Sequence, residues 1–219
     1  MERVLEPEVM DDPDQARAYA EADFSEENES FVTAFAEFFP EFVEGHLLDL
    51  GCGPGDIPIR LARRFPLCRI TGVDASLPMI RLAEEAVKAA GLTDRITLRH
   101  ERYQTFILPE RVDAVISNSL LHHIPNPLNF WYAVKRFVKP GGAVLVMDLL
   151  RPESPDAARA IVEQYAAGAP SILRRDFYNS LCAAFTEDEI AGQLAQLNLT
   201  RLLVDVPDDR HWIAGGHVY

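Results

Sequence analysis

The chain has 219 residues, 48% of them hydrophobic, and a formal net charge of -13, which suits one full core with little to spare. Of its 34 acidic residues, 14 lie within residues 1–45 against only Arg3 and Arg17, so the body from residue 46 onward is close to neutral. Neither part carries the basic footprint that a polyanion requires, which predicts no nucleic-acid partner.

No apolar run approaches the roughly 18 residues needed to cross a bilayer, and Met1–Pro7 lacks an apolar signal core. Cys52, Cys68 and Cys182 are odd in number, far apart and without metal-ligand spacing, so ordinary buried thiols and no metal are expected. A cytoplasmic protein without a membrane segment is the expectation.

Asp12-Pro13-Asp14 starts a short helix through Tyr19. Phe31, Phe35, Phe38, Phe39 and Phe42 recur at helical spacing, which predicts an amphipathic helix packing an aromatic face into the core. From residue 46 the chain alternates regularly. His46–Leu50 reads as a buried strand, Ile57–Phe65 as a helix, and Arg69–Asp74 as a second strand. Ser76 caps a helix ending at Gly91. Ile96–Leu98 and Ala114–Ser117 are further strands, Leu128–Val138 a helix, and the turn Lys139–Gly142 feeds the strand Ala143–Met147. Short apolar strands separated by helices imply parallel pairing with helices on both sheet faces, a doubly wound α/β fold with its ligand at the carboxyl strand ends. Residues 151–185 read as a helical, loop-rich insert. Thr186-Glu187-Asp188-Glu189 is a capping box opening a helix to about Leu197. Arg201–Val206 and His211–Val218 close the chain as strands, and the short Pro207–Arg210 link makes the last strand antiparallel. The expectation is a mostly parallel seven-stranded sheet with an antiparallel last strand.

Asp49-Leu50-Gly51-Cys52-Gly53-Pro54-Gly55 sits between a strand and a helix. Glycines there permit a sharp turn and close approach of a ligand to the main chain. The dinucleotide fingerprint needs a third glycine at position 56, where this chain has Asp56. An acid two residues before the first glycine would repel a pyrophosphate but suits an ammonium group, directly or through water. Asp74 ends the next strand 19 residues after Gly55, where a carboxylate accepts both hydroxyls of a ribose. A helix-start acid interacting with the dipole is the plain alternative for Asp74.

Leu48–Gly55, Val73-Asp74-Ala75-Ser76 with Met79, Ser117-Asn118-Ser119-Leu120-Leu121-His122-His123, and Val138-Lys139-Pro140-Gly141-Gly142 together resemble the successive motifs of class I S-adenosylmethionine-dependent methyltransferases, most closely the small-molecule type 11/25 group. The resemblance covers roughly residues 45–150. It implies S-adenosylmethionine as methyl donor and S-adenosylhomocysteine as product. Asp49, Gly51, Cys52, Gly53 and Gly55 would cradle the methionine part, and Asp74 would take the ribose. Ala75 and Met79 would flank the adenine, and Asn118 would sit beside the amino-acid moiety. The family usually has an Asp just after the third strand, facing the adenine amine. Here the stretch reads Arg99-His100-Glu101-Arg102-Tyr103, so Glu101 or backbone groups of Arg102 take that position. The division expected is an acidic N-terminal cap (1–45), a cofactor-binding core (46–150), a helical substrate lid (151–185) and a closing helix and hairpin (186–219) of one domain.

On the acceptor side, His122 and His123 follow the fourth strand, where histidine can serve as base or as packing. Asp148 ends the fifth strand with Arg151 close behind, as pocket rim or surface ion pair. Leu173–Ser180 is dense in polar and aromatic groups; Arg174 or Arg175 would suit an anionic acceptor, with Tyr178 as a further catalytic candidate. Tyr19 and Phe24 on the acidic arm would close over the cofactor, and the arm's self-repulsion predicts mobility until ligand contacts offset it. His211 is expected in packing or at the surface. The reading is methyl transfer to a small-molecule acceptor by a monomer or homodimer. A cofactor-binding protein with other or no transfer chemistry, or a nicotinamide-dependent oxidoreductase, is the alternative.

Overall fold

Alternation along the strands builds the molecule, which the computed structural model describes for residues 1–218. Successive strand side chains point to opposite faces. Leu47, Ala114, Ile116, Leu145 and Met147 accordingly share one apolar cluster, while their neighbours Leu48, Val115, Val144 and Val146 share another. The strands are β1 (Glu44–Leu50), β2 (Leu67–Asp74), β3 (Ile96–His100), β4 (Val112–Asn118), β5 (Val138–Leu149), β6 (Leu203–Asp205) and β7 (His211–His217). Their order is β3-β2-β1-β4-β5-β7-β6. β1 to β5 pair in parallel, and β7 is antiparallel to both β5 and β6. The chain reverses its direction of travel between β1 and β4, which places the switch point, and the expected ligand crevice, at their carboxyl ends.

The first cluster is covered by α2 (Ser25–Phe38), α3 (Asp56–Arg64) and α4 (Leu77–Ala89), the second by α5 (Pro127–Phe137) and α8 (Glu187–Gln196). α4 carries Ser76 as its cap, and α8 has the full capping box of Thr186 and Glu189. A third cluster joins α6 (Pro155–Ala166) and α7 (Ser171–Ala183) to Leu149 and Met1 at the sheet's carboxyl edge. There too lies α1 (Pro13–Glu21), capped by Asp12.

Three departures from the sequence reading have a local cause. α2 stops at Phe38 because Pro40 disfavours helical backbone in the residue before it, although Phe42 still packs on Phe35 with ring centroids 5.3 Å apart. β6 shrinks to three residues because the Val206 N–H donates to the Asp205 side chain (2.8 Å) and Pro207 follows. The Lys139–Gly142 turn is a bulge inside β5, with Val112 opposite Val138 but Ala114 opposite Ala143.

Candidate active site

A cavity of about 630 Å³ opens at the carboxyl ends of β1, β2, β4 and β5, a size typical of small-molecule sites. The β1–α3 loop forms its floor. Gly53 (φ +50°) faces open space, and Gly55 (φ +88°) lies so close to α4 that an added Cβ would stand 3.1 Å from that of Ala83. Glycine is thus required by backbone and packing alike. The Asp74 carboxylate is fixed from both sides: the Gly53 N–H donates to one oxygen (2.9 Å) and the Ser76 N–H to the other (2.8 Å). Desolvation raises its pKa, and these two donors restrain the rise.

Asp49 lies beneath the loop and off the cavity wall, 2% exposed. Burial, then the neighbouring charge of Asp74, pushes its pKa up to about 8. A carboxyl held this way is largely neutral at pH 7 and ionises readily once a cation approaches.

The opposite wall carries a histidine pair on the 3-10 turn Leu121–His123. His122 Nδ1 donates to Asp148 Oδ1 (2.5 Å), and its Nε2 stands 3.3 Å from Glu6 Oε1. Asp148 also accepts the backbone N–H groups of His122 (3.1 Å) and Leu149 (2.7 Å). Desolvation opposes protonation of His122, but the attraction and hydrogen bond of Asp148, with Glu6 behind, leave its pKa raised. For Asp148 desolvation acts upward, and the same pairing brings the net pKa down. His123 goes the other way: burial and then the His122 charge lower it to about 3. Its Nδ1 faces the Pro7 carbonyl at 3.1 Å, so the neutral ring donates there and keeps an acceptor lone pair on Nε2. Glu6, His122 and His123 offer ligand atoms within 4.8 Å of one another, a set with the composition of a metal site. His122 is already satisfied on both sides and His123 by Pro7, which favours proton sharing in that cluster.

The N-terminal arm closes this wall. The Arg3 guanidinium donates to the carbonyls of Ala183 (2.5 Å), His122 (2.8 Å) and Ile124 (3.0 Å) and stacks 3.9 Å above the Phe185 ring. Ser76 Oγ donates to the Met10 carbonyl (2.6 Å). Tyr19 and Phe24 line the cavity with ring centroids 4.9 Å apart.

A methyltransferase-domain family profile matches residues 47–142. An uncharacterised methyltransferase of Mycobacterium tuberculosis is 36% identical over 135 residues, 61% of this chain and 66% of the relative. A trans-aconitate 2-methyltransferase of Rhodopseudomonas palustris is 33% identical over 98 residues, 45% of this chain and 36% of that protein. The chain thus spans a little under two thirds of the first of these relatives and about a third of the second. Among solved structures, the plantazolicin methyltransferase BpumL with a desmethylPZN analogue and S-adenosylhomocysteine superposes with a TM-score of 0.74 at 13% identity, over 94% of this chain and 90% of that one. A methyltransferase from Aquifex aeolicus gives 0.68 at 18% identity, over 95% and 99%. Residues 47–142 thus match a methyltransferase domain, and the chain has the fold of solved S-adenosylmethionine-dependent methyltransferases.

Gly51, Cys52, Gly53, Asp74, Ala75, Met79, Glu101 and Asn118 all lie on the cavity wall, as do His122, His123 and Tyr19. Asp49, Gly55 and Asp148 sit one layer behind it. Arg102 turns its side chain to Glu8 (3.3 Å), and its carbonyl accepts from Thr105 and Phe106, while Glu101 lies on the cavity wall.

The basic residues expected to meet the acceptor do not reach the cavity wall. Arg151 is buried against the Ala184 carbonyl (3.1 Å) and Glu189 (2.8 Å). Arg174 pairs with Glu163 on α6, Arg175 faces solvent, and Tyr178 packs in the third cluster. The helical period explains the difference. α7 presents Leu173, Asp176, Phe177 and Ser180 to the cavity, a spacing of three, four and seven that puts one stripe inward. That stripe was legible in the sequence. Glu6, Arg210 and Tyr165 carried no comparable signal, because tertiary docking alone brings them to the site. His211 also lines the cavity, its ring held by Asp208 (2.9 Å), where packing or surface was expected.

Proposed function

We propose that this protein transfers a methyl group from S-adenosylmethionine to a small-molecule acceptor held between the β1–α3 loop and α7. The observation that carries the reading is one continuous cavity joining the loop and Asp74 to His123, Tyr165 and Phe177. The donor fits what the chain offers. The open face at Gly53 leaves room for close approach of a ligand to the main chain, and Asp74, pre-set by two backbone donors, keeps lone pairs for a pair of ribose hydroxyls. Ala75 and Met79 would hold the adenine, Glu101 its amine, and Asn118 the amino-acid end, with Asp49 answering the ammonium charge from below.

When bound, the donor supplies an activated sulfonium methyl. The chain's own work is alignment and exclusion of water. The arm and the α6–α7 pair roof the cavity, and His123 Nε2 is the neutral acceptor that can orient a hydrogen on the acceptor. His122, engaged on both nitrogens, positions His123 and the arm and does not act as the base.

Calorimetric titration tests the reading. Micromolar binding of S-adenosylhomocysteine, about -8 kcal/mol, with no response to NADH is expected. NADH binding without S-adenosylhomocysteine binding overturns it.

A further inference from the structure

The acceptor half of the cavity is acidic and aromatic, the reverse of what Arg174 and Arg175 suggested in the sequence. Two arginines border the cavity among the described residues, and neither is free. Arg60 is bound by Asp56 (2.6 Å) and Glu29 (2.7 Å). Arg210 is held by Glu27 (3.2 Å) and lies 3.6 Å above the Tyr165 ring. The histidines on the wall are engaged as well: His122 between Asp148 and Glu6, His123 at Pro7, and His211 at Asp208.

Carboxylates outnumber these cations on the side away from the glycine loop, where Asp23, Glu27 and Asp176 line the wall. Asp176 accepts from Gln15 on α1 (2.7 Å), and on its solvent side from the exposed Arg175 (3.1 Å). Arg175 is the exposed member of that pair, 65% against 16% for Asp176, and the carboxylate has lone pairs beyond those that Gln15 and Arg175 take. Tyr19, Phe24, Tyr165 and Phe177 supply the rings around it. Burying a carboxylate or phosphate against carboxylates with no spare counter-ion is costly, whereas an ammonium finds both an ion pair and aromatic faces there.

We infer that the acceptor is a small molecule that carries an ammonium group, seated by Asp176 and by the oxygen of Glu27 that Arg210 does not take, on an apolar body packed against the aromatic wall. This rests on the proposed function for the cavity's identity, but it concerns recognition and is tested by binding.

The experiment is calorimetric titration with matched probes, 2-phenylethylamine against 3-phenylpropanoate and octylamine against nonanoate, each with and without saturating S-adenosylhomocysteine. Each amine is expected to bind at least tenfold more tightly than its matched carboxylate. Asp176→Asn and, separately, Glu27→Gln should each weaken amine binding severalfold and leave affinity for S-adenosylhomocysteine unaltered. Equal or tighter carboxylate binding, undetectable amine binding, or an undiminished preference in both variants overturns the inference. Failure of S-adenosylhomocysteine to bind overturns the methyl-transfer reading instead, and the titrations without it still decide the amine preference.

Discussion

Replacing Asp49 by Asn isolates a carboxyl whose burial should be visible as a slope of stability against pH. Asp49 is 2% exposed and its pKa is pushed up to about 8 by burial and by Asp74. In the unfolded chain it titrates near the ordinary carboxylate value of about 3.9. Between those values the folded protein binds the proton more tightly than the unfolded chain does. This group's contribution to stability is therefore full below about pH 4 and is lost as pH rises toward 8, at ~1.4 kcal/mol per pH unit. Across that window the loss sums to about 4–5 kcal/mol. Asn mimics the neutral carboxyl in shape and cannot ionise. The difference in unfolding free energy, variant minus wild type, should be near zero at pH 4 and should grow in the variant's favour to several kcal/mol by pH 8. Urea denaturation of both proteins at intervals of one pH unit measures it. A difference that stays within about 1 kcal/mol over the whole range refutes the reasoning. The same carboxyl should lose its proton when an ammonium binds above it. S-adenosylhomocysteine binding at pH 7 should then release on the order of one proton, read from calorimetric enthalpies in buffers of different ionisation heat, and Asp49→Asn should abolish that release.

Asp74→Ala should weaken S-adenosylhomocysteine by roughly 1.5–3 kcal/mol through loss of charge-assisted hydrogen bonds; an unaltered calorimetric affinity would reduce Asp74 to a brace for Gly53 and Ser76. Arg3→Ala removes three donors to carbonyls and a stacked cation, so hydrogen exchange across residues 1–20 should accelerate at least tenfold and slow again when S-adenosylhomocysteine binds. Unchanged exchange would mean that the arm is fixed by its other contacts. Arg174→Ala, at a residue paired with Glu163 away from the cavity, should leave affinity for S-adenosylhomocysteine and for any acceptor within about 0.5 kcal/mol, and a tenfold loss in either titration would contradict the outward placement. Arg151→Ala should instead lower unfolding free energy by about 1–3 kcal/mol, because a buried guanidinium that bonds the Ala184 carbonyl and the partly exposed Glu189 is removed.

The part of the fold that could be read from the sequence is the part written in local periodicity. β1, β2, β4 and β5 alternate between two apolar clusters, several helix starts have a capping side chain, at Asp12, Ser76, Asn126 and Thr186, and the acidic residue before Gly51 separates this loop from a dinucleotide site. The cofactor half of the site inherits that legibility, because its residues sit at the ends of those strands. The acceptor half does not. Its walls come from the arm, α6, α7 and the β6–β7 connection, which are separated by well over a hundred residues in the chain. Nothing local to Glu6 announces that it will face His122, and nothing near Arg210 announces Glu27 and Tyr165.

Residue type misleads most where docking decides direction. The segment Leu173–Ser180 holds two arginines and one aspartate, and composition alone weights it toward an anionic ligand. A helix, however, shows only one stripe to the cavity, and the angular step of 100° per residue puts Asp176 on that stripe while Arg174 and Arg175 fall outside it. The charge that matters to an acceptor is thus opposite in sign to the charge that dominates the segment. On the other wall the same logic separates two adjacent histidines. His122, one step deeper, meets Asp148, whose attraction and hydrogen bond hold its pKa up. His123, one step outward, keeps a neutral ring, and of the two it alone offers a lone pair to whatever the cavity holds.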